Sequence, residues 1–77
     1  MIEFDNILQK EKEYQECRLH IHLRGAGEVV NEARIVLDQL KTKGINGTDF
    51  KTYLKEQKIK YRRNNFYISC IKYLNRK

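Results

Sequence analysis

This chain contains no proline and no long apolar run, and acidic residues nearly vanish from its second half. Without proline, no periodic stretch meets a fixed break. Without some 18 consecutive apolar residues, a membrane-spanning helix is excluded. Cysteine is confined to Cys17 and Cys70, far apart and without a Cys-x-x-Cys pair. The chain also opens without a charged-then-apolar leader, so the expectation is a cytoplasmic protein whose two thiols are reduced, buried and structural.

The usual marks of catalysis are missing too. His20 and His22 would share one side of a strand, but a metal site needs a third and usually a fourth ligand, and both cysteines would point the other way. Ser69 and the cysteines lack a positioned base and an orienting third group. The stretch "RGAGEV" loosely resembles a phosphate loop, yet the required Gly-Lys-Ser/Thr ending is absent. It reads instead as a tight turn into a helix, whose free amides would suit an anion. The expectation is therefore no enzyme, no cofactor and no metal.

What the chain does have is charge, unevenly placed. Residues 1–40 carry five basic side chains against eight acidic, and residues 41–77 carry eleven against two. The net charge of +6 thus hides a first half at −3 and a second half at +9. Such segregation is the electrostatic footprint of a polyanion-binding surface. Lysines that merely solubilise a surface would not need to be segregated. At 77 residues the chain makes one domain, 1–77, too small for a deep catalytic cleft.

Periodicity places the elements. Residues 1–16 carry Phe4, Ile7, Leu8 and Tyr14 at roughly helical spacing, although Ile2 and Phe4 also fit the start of a short strand. In "CRLHIHLR", residues 17–24, Cys17, Leu19, Ile21 and Leu23 alternate with Arg18, His20, His22 and Arg24, which predicts a strand with one buried face. Val29, Val30, Ala33, Val36, Leu37 and Leu40 recur at three- and four-residue steps, marking a central amphipathic helix that Gly44 can end. After a turn in "INGTD", with Asn46 or Thr48 as cap, a further helix runs to about Gln57. Its apolar stripe is Phe50, Tyr53 and Leu54, and Lys51 and Lys55 share its outer row.

The stretch 58–74, "KIKYRRNNFYISCIKYL", reads as a β-hairpin turning at Asn64 and Asn65, because asparagine tolerates the positive φ of a primed turn. Pairing about that turn sorts Ile59, Tyr61, Phe66, Ile68, Cys70 and Leu74 onto a core face, with Arg63 at the tip and Lys72 misplaced. Lys58, Lys60, Arg62, Tyr67, Ser69 and Tyr73 take the open face, with Ile71 as an aliphatic exception. Joined by His20, His22 and Arg24 from the strand at 17–24, these residues would form a patch of cations and flat rings that neutralises phosphates and stacks on bases. Tyrosines chosen as strand formers, and lysines guarding a sheet edge, would give the same composition.

The expected fold is α+β in the order α-β-α-α-β-β, with a three-stranded antiparallel sheet packed on helices. This order resembles that of winged helix-turn-helix domains. The resemblance implies that Thr48, Lys51, Thr52 and Lys55 face DNA, while Arg62, Arg63, Asn64 and Asn65 at the hairpin tip reach phosphates. An open-faced two-layer sandwich with RNA or a single strand on its sheet uses the same elements. The expected function is that of a small basic nucleic-acid-binding protein, DNA or RNA undecided, in a regulatory role. Its site residues would be Lys51, Lys55, Lys58, Lys60, Arg62, Arg63, Tyr67, Tyr73, His20, His22 and Arg24. The alternative is a small inhibitor or adaptor, such as a phage-encoded anti-defence protein of the anti-CRISPR type, docking on a host protein or ribonucleoprotein. Tyrosine and arginine are also enriched in protein hot spots.

Overall fold

The computed structural model describes residues 2–19 and 25–76, with side chains from Phe4 onward. Among these residues there are four helices: α1 (Ile2–Arg18), α2 (Ala26–Thr42), α3 (Gly47–Glu56) and α4 (Asn65–Asn75). Among the described residues there is no strand. The three-stranded sheet, the α+β class and the winged-helix likeness are therefore all overturned. None of the helices is long and apolar enough to cross a membrane.

The strand expected at 17–24 does not form where it is described, because Cys17 and Arg18 complete α1 and Leu19 follows in a turn. The rest of that stretch, with His20, His22 and Arg24, lies outside the described residues. The apolar-polar alternation of Cys17, Arg18 and Leu19 is too short to outweigh the helix that runs into it.

The hairpin fails for a more specific reason. Asn64 has φ −102° and ψ 102°, so it lacks the positive φ of a primed turn; its side-chain oxygen instead accepts from the Tyr67 backbone N–H at 3.1 Å. It is the N-cap of α4, a role that suits asparagine as well as a turn does. Behind it, Tyr67, Cys70, Ile71 and Leu74 stand at i, i+3, i+4 and i+7 and are all buried. Ile71 and Lys72, the two misfits of the hairpin, now sit correctly: Ile71 is buried and Lys72 is exposed.

Packing divides the chain into two units, Met1–Val36 and Leu37–Lys77. In the first, Phe4, Ile7, Val29 and Ala33 are buried. Lys10 on α1 reaches Glu32 on α2 at 2.6 Å and Glu13 one turn along at 3.5 Å. In the second, Leu37, Leu40, Phe50, Leu54, Tyr67, Cys70, Ile71 and Leu74 are buried, and α3 packs on α4. Burial pushes the Cys70 thiol from 9.0 up to about 12, so it is an inert core group. Cys17, expected to be buried as well, is only half-buried.

The end of α2 follows its sequence closely. Gly44 takes φ 84°, while the Ile45 N–H donates to the Leu40 carbonyl at 3.0 Å and the Gly44 N–H to that of Lys41 at 3.0 Å. This is the paired-bond closure in which a left-handed residue satisfies the last carbonyls of a helix.

Candidate nucleic-acid interface

Helix α3 is set at its N-terminus by a reciprocal cap. The Asp49 N–H donates to the Asn46 side chain at 3.0 Å, and the Asn46 N–H donates back to the Asp49 carboxylate at 3.0 Å. Each satisfies a donor that the first turn leaves open. Gly47, Phe50 and Leu54 turn inward, which leaves Thr48, Lys51, Thr52 and Lys55 together on an exposed row. The Thr52 hydroxyl donates to the Thr48 carbonyl at 3.0 Å, so its short side chain lies against the helix.

At the other end, α3 closes as α2 does. The Ile59 N–H donates to the Leu54 carbonyl at 2.9 Å and the Lys58 N–H to that of Lys55 at 3.0 Å. The left-handed residue is here Lys58, with φ 60° and no glycine's freedom. Its charged side chain is exposed where the chain leaves the helix. Lys60, Arg62 and Arg63 follow, all exposed, before the Asn64 N–H donates to the Tyr61 carbonyl at 2.9 Å and α4 begins.

Six of the expected site residues thus remain together in sequence and on the surface: Lys51, Lys55, Lys58, Lys60, Arg62 and Arg63. Among the described residues none of the six is ion-paired to a carboxylate. Nearby acids are few. Asp49 is engaged in the cap, and exposed Glu56, four residues after Thr52, lies at the edge of the row. The unit that holds this surface, Leu37–Lys77, carries eleven basic and three acidic residues, while Met1–Val36 carries five basic and seven acidic. The charge boundary seen in the sequence therefore nearly coincides with the packing boundary.

The tyrosines do not join them. Tyr67 is 5% exposed, with its ring edge-on to Phe50 at 6.0 Å and to Phe66 at 6.2 Å. Tyr73 is half-buried; its hydroxyl donates to the Asp38 carboxylate at 2.5 Å, and the Lys41 ammonium sits 4.8 Å from the ring centre. Both rings are thus engaged inside the unit and neither is an open stacking platform. The sequence reading missed the set Asp38, Lys41 and Tyr73. Its visible signal was the pair Asp38 and Lys41, three residues apart on one helix face. His20, His22 and Arg24 lie outside the described residues.

Chemically, the surface offers exposed lysine and arginine donors on a helix and on the loop that follows it, the arrangement that suits phosphate oxygens. Comparisons with protein-family models, curated proteins and solved structures find no match for this chain.

Proposed function

We propose that this chain is a small nucleic-acid-binding protein that grips phosphates through Lys51, Lys55, Lys58, Lys60, Arg62 and Arg63. The observation that carries this reading is the run of six exposed cations without carboxylate partners, displayed along α3 and the loop after it. Cations left unneutralised on one surface release counterions when they meet phosphates, and that release drives binding without base contacts. The protein acts by binding and not by catalysis, in a regulatory role, and its two free thiols suit the reducing cytoplasm.

The test is nuclease-controlled co-purification followed by a salt titration. Nucleic acid should copurify and be lost on nuclease treatment. Affinity should fall steeply between 50 and 200 mM salt, with a log–log slope of up to about −5 for six phosphate contacts. The double variant Lys60→Ala, Arg62→Ala should weaken binding to every sequence alike. A flat salt response, or one host protein retained after nuclease, would favour an inhibitor or adaptor docked on a protein instead.

A further inference from the structure

Building on the phosphate-gripping reading above, we infer that the partner is double-stranded DNA, and that the outer row of α3 lies in its major groove. Two observations narrow the choice. The first concerns rings. All tyrosine and phenylalanine side chains are described, and each is buried or half-buried: Phe4, Phe50 and Tyr67 are buried, and Tyr14, Tyr53, Tyr61, Phe66 and Tyr73 are half-buried. Single strands are held by bases stacking on open aromatic faces, and none of these rings offers one fully exposed.

The second concerns the exposed row of α3. Thr48 and Thr52 are short, and they alternate with the long cations Lys51 and Lys55. Short polar side chains let the helix approach the groove floor, while the lysines reach outward to the phosphates on its walls. An α-helix with its side chains is about 10–12 Å across, which the major groove of B-form DNA, about 12 Å wide, admits, and the 10 residues of α3 would run about 15 Å within it. The major groove of A-form RNA is deep and too narrow for side chains to read. Lys58, Lys60, Arg62 and Arg63 follow directly from the C-terminal end of α3, where they can hold the adjoining backbone.

The experiment measures fluorescence anisotropy of the full chain with a labelled 20-bp DNA duplex, an RNA duplex of the same sequence, and the separate strands. A second arm follows methylation of guanine N7, an atom that faces the major groove. The duplex DNA should bind at least tenfold more tightly than RNA or single strands, and N7 should be protected in the complex. Both effects should weaken in Lys51→Gln, Lys55→Gln, whose helix content by circular dichroism should be unchanged. Equal or tighter binding of single strands or of RNA duplex, or unaltered N7 reactivity in a saturated DNA complex, would overturn the groove assignment while leaving the basic surface in place. Absence of binding to any of these at low salt would overturn the phosphate-gripping reading as well.

Discussion

The backbone N–H of Gly47 donates to the side-chain oxygen of Asn75 at 2.8 Å, tying the start of α3 to the end of α4. The approach is so close that a Cβ on residue 47 would lie 2.5 Å from the Ile71 carbonyl oxygen and 2.7 Å from the Asn75 amide nitrogen. Gly47 is therefore required by packing, since it opens a helix where alanine would otherwise be preferred. Gly47→Ala should gain up to ~1 kcal/mol of helix propensity and lose more to the clash with backbone, for a net destabilisation of roughly 1–2 kcal/mol. Urea unfolding should show it, with Asn75→Ala also destabilised through the lost bond.

Lys58 should separate stability from the proposed binding. It holds φ 60°, a conformation that costs a side-chain-bearing residue roughly 1 kcal/mol relative to glycine. Lys58→Gly should therefore raise stability by about that amount while removing one phosphate contact, which lowers the magnitude of the salt slope by about 1. Opposite signs in the two measurements are the expected outcome; parallel losses would show that Lys58 supports the fold.

Tyr73 should matter to folding and not to binding. Tyr73→Phe removes the bond to Asp38 but leaves the ring under Lys41, and should cost about 0.5–1.5 kcal/mol. Affinity for duplex DNA should stay within twofold of the parent in a side-by-side titration.

Cys70 gives the fold an alkaline limit. The folded chain keeps the thiol proton up to about pH 12, whereas the unfolded chain releases it near 9.0. Below pH 9 both states are protonated and the group adds no pH dependence. Above it, unfolding releases a proton, so stability falls with rising pH by up to ~1.4 kcal/mol per unit. The stability difference between the parent and Cys70→Ala should therefore shrink between pH 8.5 and 10.5 in denaturant titrations. Alkylation at pH 8 should reach half-buried Cys17 first and Cys70 only on unfolding.

The sequence was legible where one pattern had one structural meaning. The stripe from Val29 to Leu40 fits only a helix and Gly44 marks its end, while "INGTD" marks a helix start whose cap, Asn46 or Thr48, only the structure assigns to Asn46. It was ambiguous in 58–74, where aromatic and β-branched residues satisfy a period of two and nearly satisfy a period of 3.6. The helical stripe Tyr67, Cys70, Ile71 and Leu74 was present, but Asn64 and Asn65 suit a hairpin turn as readily as Asn64 suits a helix start.

By itself, then, the sequence determined the charge boundary, the helices α1, α2 and α3, and the exposed lysine row of α3, because net charge and amphipathic spacing are local properties. Tertiary packing decided the rest. Burial of Tyr67, Cys70, Ile71 and Leu74 in the unit where α4 packs on α3 stabilises a helix that propensity alone leaves open. The same packing withdrew Tyr67 and engaged Tyr73, so a surface that composition presents as cations and rings became one of cations alone.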